Sequence, residues 1–429
     1  MHYFKHAELT HRYHVSLKTV HNWIDAAKSG KVSLKLHVAN NRTYVMNTPE
    51  NIAVLDQLSH KGKKYRNATH QKTVSPKQEF YDIYTRRQIL DIITKLSVDG
   101  EIPRDYNYMQ DGAINWDNWL QRLATEKSAN ILTGELELLK ENLSNISQLI
   151  DGYERVNIVD LGVGNAYPVR GLLEFLIGKG VLHRYIGIDI SPAMLDVAQR
   201  NIHKWFGNKV PFEGHVRDFT YERFDDLLVD DMLDKRADKT INLVLLLGGT
   251  PTNFPVYSDV FKVVHGSLSA HDVLLYTDKI DTEAARRYFD FSSASNAATL
   301  SPNHQYILDL LNIDPSLYEP EMGFDSTRMM RYIRVRLNAA LNIEFSFGTL
   351  NRTVHLEKGD TILLLRVWHK TALEIISTIG DAGFMLLHSG LTKDRQFQLS
   401  CWGVETKANS MIISPYLAAT PLKPQSYNK

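Results

Sequence analysis

Val156-Asn157-Ile158-Val159-Asp160-Leu161-Gly162-Val163-Gly164, followed about one βα unit later by Tyr185-Ile186-Gly187-Ile188-Asp189-Ile190-Ser191, decides the fold class of this 429-residue chain. An apolar strand ending in Asp-x-Gly-x-Gly, a helix, and a second apolar strand ending in an acid place a glycine turn beside a carboxylate at the carboxyl edge of a parallel sheet. That edge suits an adenosine-containing cofactor. The glycines let the backbone approach a ligand closely, and Asp189 can accept both ribose hydroxyls. Downstream, Gly214-His215-Val216-Arg217-Asp218-Phe219 supplies an acid and an aromatic where a third strand would end, Asp218 for an adenine amino group and Phe219 as a wall against the ring. Ile241 to Leu247 is almost wholly apolar, as a strand buried on both faces would be, and it ends in Gly248-Gly249-Thr250-Pro251-Thr252-Asn253-Phe254. After the helix-like Tyr257 to Leu268 comes a fifth strand, Val273 to Asp278. Five strands alternating with helices predict a doubly wound α/β domain.

The turn separates two cofactor classes. A dinucleotide site wants Gly-x-Gly-x-x-Gly running into a helix whose N-terminus faces a pyrophosphate, whereas here the run is Gly162-Val163-Gly164-Asn165-Ala166-Tyr167-Pro168. The third glycine is missing. S-adenosylmethionine has no pyrophosphate and needs close approach only at its amino-acid end, so Asp160, Gly162 and Gly164 suit a methyl donor better. Alone, Gly-x-Gly also fits an ordinary strand-turn-helix, and the downstream strands are what favour a cofactor site.

From about residue 78 to about 404 the chain resembles the histidine-specific S-adenosylmethionine-dependent methyltransferases, which include the enzyme that trimethylates histidine on the way to ergothioneine. The resemblance rests on Asp160-Leu161-Gly162-Val163-Gly164, Ile188-Asp189-Ile190-Ser191, Arg217-Asp218-Phe219 and Leu247 to Phe254, with further similarity at Asp278-Lys279, Tyr288-Phe289-Asp290 and Ala382-Gly383-Phe384. It implies a Rossmann-like class I methyltransferase sheet with an added β-rich acceptor subdomain at about 320–370. It also implies S-adenosylmethionine as cofactor, held by Asp160, Gly162, Gly164, Asp189, Ile190, Asp218, Phe219 and Gly248. Asn253 matches the family asparagine that holds the amino and carboxylate ends of the amino-acid substrate. Phe80-Tyr81-Asp82 nominates Tyr81 as the tyrosine that covers the cofactor and contacts the acceptor, and Tyr84-Thr85-Arg86 is the rival alignment. Asp290 is a weaker acceptor-side candidate, and an ordinary helix-surface carboxylate is the favoured reading.

The departures bear on the acceptor. Members of the family usually carry Glu-x-Ser-x-Lys after a Gly-Glu-x-Ile strand, and the Glu and Ser address the substrate's imidazole. Here Gly359-Asp360-Thr361-Ile362 leads into Leu363-Leu364-Leu365-Arg366-Val367-Trp368, so Leu365 and Val367 stand at those positions in the direct register and Arg366 and Trp368 after a shift of one. An apolar pair cannot satisfy a buried imidazole, at a cost of roughly 1–3 kcal/mol per unsatisfied group. A small amine or amino acid other than free histidine is the expected acceptor, taking the methyl group by in-line transfer with Asn253 and Tyr81 as positioning groups.

Zero net charge hides an asymmetry. Residues 1–72 carry 12 Lys and Arg against 4 Asp and Glu, a net +8, which leaves −8 on the remainder. Within that basic region Phe4, Ala7, Leu9 and Tyr13, then Val20, Trp23, Ile24 and Ala27, predict two short helices joined by a tight turn with Ser16 as N-cap. The pattern resembles a MerR-type winged helix-turn-helix. Leu34–Val38 and Thr43–Val45 would form the wing around Asn40-Asn41, and Thr48-Pro49 would start a third helix. Lys18, Thr19, His21 and Asn22 on the second helix, Arg42 on the wing, and Lys64 and Arg66 in the trailing basic segment are the expected DNA contacts. A helical docking module with solvated lysines is the plainer alternative. The eight histidines of this region show no metal-ligand spacing, and no metal site is expected anywhere in the chain.

Asn67 to Gln78 reads as a linker, 101–115 as loop-rich, and Trp116 to Ile150 as a helix pair interrupted near Gly134. The expected domains are 1–72, a linker and helical lead-in over 73–150, the methyltransferase core over 151–407, and a tail over 408–429. No apolar run reaches the roughly 18 residues of a membrane span, the N-terminus lacks a signal core, and Cys401 is the only cysteine, so a cytoplasmic protein is expected. A homodimer is left open. Three functions fit: a small-amine methyltransferase tethered to a DNA-binding module, a transcription regulator that senses S-adenosylmethionine or an amine, and a nucleic-acid methyltransferase. The last ranks lowest, because Gly248-Gly249-Thr250-Pro251 lacks the Asn/Asp-Pro-Pro-Tyr/Phe turn that grips a flipped base.

Overall fold

The computed structural model describes residues 3–13, 15, 17–39, 42–66, 71–126, 130–228, 239–283, 286 and 299–404. It divides into two compact units. One is Met1–Thr73 with Ala339–Asn342 and His355–Lys358, and the other is the remainder. Ser16, Asn40, Asn41, Asp290 and the 408–429 tail lie outside the described residues.

In the smaller unit, helices His6–Tyr13 and Leu17–Lys28 pack Leu9, Tyr13, Val20, Trp23 and Ile24 into one core. Leu36–Ala39 pairs antiparallel with Arg42–Met46 in the register Leu36 to Val45. Tyr3–Phe4 adds a third strand on the outer edge of Arg42–Met46, which the periodicity of so short a segment does not reveal. The buried Asn51 ties the helix Pro49–Arg66 to this hairpin: its Oδ1 accepts from Lys35 N and its Nδ2 donates to Lys35 O and Met46 O, each at 2.8 Å.

The larger unit is built on a seven-stranded sheet. In spatial order its strands are Phe384–Leu391, Phe397–Val404, Val273–Lys279, Thr240–Leu246, Arg155–Leu161, Leu182–Asp189 and Phe212–Val216. The five expected strands run parallel, and Phe397–Val404 is antiparallel to both of its neighbours. The chain reverses direction across the sheet between Arg155–Leu161 and its two neighbours, so a crevice opens at the carboxyl ends of those strands. Helices cover both faces and the central strands are buried throughout, which explains their continuous apolar sequence. At the opposite end of the strands, Asn157 Nδ2 donates to Asn242 Oδ1 at 2.9 Å and Asn242 Nδ2 to Asp272 Oδ1 at 2.8 Å, a polar chain that fixes strand register in an apolar interior.

Three expectations about local structure change. The lead-in holds three helices, Asp111–Thr125, Ile131–Glu141 and Leu143–Leu149, and Gly134 sits inside the second of them. Its lack of a side chain serves packing: a Cβ there would lie 2.4 Å from the Phe397 ring. The segment read as loop-rich contains the 3₁₀ turn Arg104–Tyr108, and Lys72–Val74 is a strand within the expected linker. The β-rich region makes a sheet separate from the seven-stranded one, with Met330–Leu337 paired antiparallel to Tyr318–Asp325 and to Thr361–Trp368.

Candidate active site

A cleft of about 1320 Å³ opens at the carboxyl ends of the parallel strands and is lined from the glycine turns, the lead-in helices and the three-stranded sheet. At its centre Gly162 and Gly164 have φ of 70° and 54°, and Gly162 N donates to Ile188 O at 2.8 Å, which closes the turn against the next strand. A Cβ on Gly162 would point at the Phe219 ring 3.6 Å away, so backbone and ring together form one narrow wall. The place of the missing third glycine is taken by a polar clamp. Asn165 Nδ2 donates to Asp117 Oδ1 at 2.8 Å, and Tyr167 N donates to Asn165 Oδ1 at 3.0 Å.

Asp189 ends the second strand with its Oδ1 accepting from Ser191 N at 2.9 Å. Burial pushes its carboxyl up to about 6, opposed by the N–H groups of Ser191, Gly164 and Ile190. Ser191 caps the helix Pro192–Phe206 by accepting from Met194 N and donates its own hydroxyl to Tyr108 O at 2.6 Å. Asp218 accepts from Thr220 N at 3.0 Å and from the Thr220 hydroxyl through Oδ1, and burial raises it. Asp160 accepts the Tyr185 hydroxyl at 2.8 Å and is pushed by burial up to about 7. Buried acceptors, an aromatic wall and a side-chain-free turn fit an adenosine whose hydroxyl and amino donors would satisfy the carboxylates.

The acceptor end is built around the Gly248–Phe254 turn. Gly249 has φ 67°, and a Cβ on it would meet Asp278 Oδ1 at 2.3 Å. Asp278 cannot easily withdraw, because Tyr276 donates its hydroxyl to Oδ2 at 2.7 Å, and burial pushes this carboxyl up to about 7. Asn253 presents its amide at the end of the 3₁₀ turn Thr250–Asn253, with Oδ1 accepting from Arg104 and Nδ2 donating to Thr250 O at 3.1 Å. Trp368 Nε1 donates to Phe254 O at 2.8 Å and anchors the three-stranded sheet beside the turn. Across that sheet Met322, Ile333 and Leu365 form one cross-strand row, and Arg331 and Val367 the next, all of them lining the cleft. Arg366 instead pairs with Glu101. His304 faces the same space with its Nδ1 2.8 Å from Ser301 Oγ, and burial, then Arg104 and Arg331, push its imidazole down to about 3, so it is neutral at physiological pH.

Of the expected site residues, Asp160, Gly162, Gly164, Asp189, Ile190, Asp218, Phe219, Gly248 and Asn253 all line this cleft. Tyr81 does not. Phe80 and Tyr84 fix which face of the short helix Gln78–Ile83 is buried, and Tyr81 is turned away to stack 6.0 Å from Phe347 and accept from Ser346 N at 3.0 Å. Its rival Tyr84 is buried with its hydroxyl donated to Tyr106 O. Neither tyrosine lines the cleft, which departs from the expectation of Tyr81 as a positioning group there. Unanticipated instead are Glu135, Arg104 and Tyr108, which come from the helical lead-in and carry no local sequence signature. In the smaller unit Lys18, His21 and Asn22 are exposed and Thr19 is half-buried, while His21 Nε2 lies 3.3 Å from His6 Nδ1. Arg42, Lys64 and Arg66 lie on the strand Arg42–Met46 and the helix Pro49–Arg66, with side chains outside the description.

Among the described residues no helix is long and apolar enough to cross a membrane, and no cluster of His, Cys, Asp and Glu is arranged to hold a metal. The sequence model of the histidine-specific, S-adenosylmethionine-dependent methyltransferases matches residues 85–404. Comparison with curated proteins gives no match. Similar solved structures include an S-adenosylmethionine-dependent methyltransferase from Clostridium acetobutylicum, at 11% identity over 68% of this chain and 99% of that one with a TM-score of 0.37. Another is the magnesium protoporphyrin IX methyltransferase from Synechocystis with bound S-adenosylhomocysteine, at 12% identity over 70% and 97% with a TM-score of 0.36. A glycopeptide N-methyltransferase complexed with S-adenosylmethionine matches at 11% identity over 63% and 94% with a TM-score of 0.33.

Proposed function

The chain belongs to the histidine-specific, S-adenosylmethionine-dependent methyltransferase family, and from that premise we propose that its methyl acceptor is the nitrogen of an amino acid or related small amine with an apolar side chain, not free histidine. It is a methyltransferase, and S-adenosylmethionine is its cofactor. The observation that carries the acceptor reading is the row Met322, Ile333 and Leu365 with Val367 beside it, an aliphatic wall facing the cleft where an imidazole would need donors and acceptors. Asn253 retains one lone pair and one N–H beyond its bonds to Arg104 and Thr250, enough to meet an amine N–H and a carboxylate. Arg104 and Arg331, both within electrostatic reach of His304, add positive charge suited to a carboxylate.

When bound, the cofactor supplies an electrophilic methyl group on a cationic sulfur. The protein's part is to place a neutral amine in line with it and to keep water out, which needs no covalent intermediate. Asp189, Asp218 and Phe219 hold the adenosine, the Gly162 and Gly164 turn admits the amino-acid end, and the apolar wall orients the acceptor's side chain. Turnover of a panel of free amino acids, followed by mass spectrometry, tests this reading.

Asp189 also sets an expected pH dependence. Its folded-state pKa is raised to about 6, and the ribose hydroxyls need the ionised form. Affinity for S-adenosylhomocysteine is therefore full above about pH 7 and falls as pH drops through 6, by about fourfold at pH 5.5 for a single group. Calorimetric titration across that range should show the decline in the native protein and a shallower one in Asp189→Asn, with Asp160 and Glu135 still titrating in the same cleft. A flat profile in the native protein contradicts the assignment.

We further propose that residues 1–72 fold as a winged helix-turn-helix that binds duplex DNA. The net charge of +8 and the exposed Lys18, His21 and Asn22 on one helix support it. Binding should weaken with salt at a log–log slope near −0.9 per phosphate neutralised. Lys64→Ala or Arg66→Ala should lower that slope by about one for every sequence, whereas Asn22→Ala should mainly relax sequence preference. Fluorescence anisotropy of the full chain on labelled duplexes measures both, and a salt-independent signal would leave this unit as a docking module.

A further inference from the structure

Glu135 stands on the helix Ile131–Glu141, which contributes its apolar face to the core of the larger unit. Only 6% of the residue is exposed. Its Oε1 accepts from Gly248 N at 2.8 Å and from the Thr277 hydroxyl at 2.7 Å, so half of the carboxylate holds the turn that leads to Asn253. The other half is free. Oε2 lies 3.5 Å from where a Cβ on Gly248 would be, accepts no hydrogen bond from the described residues, and belongs to a side chain that lines the cleft. Among the described residues no Lys, Arg or His forms an ion pair with Glu135, and Asp160 is within electrostatic reach, so the neighbourhood is negative. Burial accordingly raises the Glu135 carboxyl. A buried carboxylate with one open oxygen is costly unless a cation with N–H donors meets it.

With adenosine at Asp189, Asp218 and Phe219, the cofactor's amino-acid end extends past the glycine turn toward Gly248. We propose that Glu135 binds the α-ammonium group of the cofactor's methionine moiety through Oε2. The sulfonium offers positive charge but no hydrogen-bond donor, and the acceptor amine must arrive neutral at the Asn253 side, so neither meets the open oxygen as an ammonium does. This assignment is independent of the acceptor's identity.

Two ligands that share the adenosine and thioether separate the contribution. S-adenosylhomocysteine carries the ammonium, and 5′-methylthioadenosine lacks the whole amino-acid end. In calorimetric titrations of the full chain, Glu135→Gln should weaken S-adenosylhomocysteine by about tenfold or more, the loss of a charge-assisted bond, and leave 5′-methylthioadenosine unchanged. The glutamine oxygen still accepts from Gly248 and Thr277, so the turn is retained. Thr277→Val removes one donor to Oε1 and should preserve the ratio of the two affinities. Should Glu135→Gln fail to fold, Glu135→Asp, which withdraws the charge from the cleft, is expected to lower the same ratio. Equal losses for both ligands, or no loss for either, would overturn the proposal and leave Glu135 as a support for the Gly248 turn alone.

Discussion

Asp189→Ala is expected to weaken S-adenosylhomocysteine binding by more than about tenfold, the roughly 1.5–3 kcal/mol of a charge-assisted hydrogen bond. The carboxylate ends the Leu182–Asp189 strand beside the glycine turn, its Oδ1 accepts from Ser191 N and the N–H groups of Gly164 and Ile190 also act on it, so ribose hydroxyls would meet the lone pairs that these donors leave. Truncation removes an acceptor and leaves two buried hydroxyls of the ligand without partners. It also relieves the protein of a carboxylate whose burial raises its pKa, so the thermal midpoint of the free protein should hold or rise while affinity falls. That divergence separates a binding residue from a structural one. Micromolar affinity that survives the substitution, measured by calorimetry, would remove Asp189 from the cofactor site.

A comparably large effect is expected at the acceptor turn, without loss of cofactor. Asn253→Ala deletes the amide that joins Arg104 to Thr250 O, and Gly249→Ala reaches the same turn from beneath. The new methyl group would meet Asp278 Oδ1 at 2.3 Å in a backbone held at φ 67°, and Tyr276 keeps that carboxylate in place. Overpacking of this kind costs about 1–3 kcal/mol, and displacement of the amide should carry most of it into kcat/KM for the acceptor, a loss of roughly 10- to 100-fold. Both variants should retain affinity for S-adenosylhomocysteine close to native. Steady-state kinetics beside calorimetry distinguishes the outcomes, and undiminished kcat/KM in Asn253→Ala would rule out its role in positioning.

Much of the sheet was legible because its signals are local. The four central parallel strands are apolar runs that lead into a glycine or an acid, and the edge strand Phe212–Val216 is marked by the Asp218-Phe219 that follows it. The cofactor side of the cleft follows from the same motifs, since residues at the carboxyl ends of neighbouring strands are adjacent whatever the rest of the chain does. The acceptor side depends on packing between distant segments, and sequence spacing does not reveal it. Tyr81 was placed at the acceptor by its resemblance to a family motif, yet the burial of Phe80 and Tyr84 turns it onto Phe347. Arg104 reaches Asn253 from a 3₁₀ turn within a loop-rich sequence, and Glu135 reaches Gly248 from the apolar face of a helix that carries no motif. In contrast, the aliphatic identity of Leu365 and Val367 was visible in the direct register. Leu365 and Val367 both line the cleft, whereas Arg366 pairs with Glu101.

The proposed acceptor is a small amine with an apolar side chain. The most direct measurement incubates the full chain with S-adenosylmethionine and single amino acids, amines or duplex DNA, and follows both S-adenosylhomocysteine release and the mass of the acceptor. Methylated product is expected from amino acids with aliphatic side chains, with turnover of histidine lower by roughly 10- to 100-fold, the cost of leaving an imidazole unsatisfied against Met322, Ile333, Leu365 and Val367. Efficient trimethylation of histidine, or methyl transfer to DNA alone, would contradict this expectation.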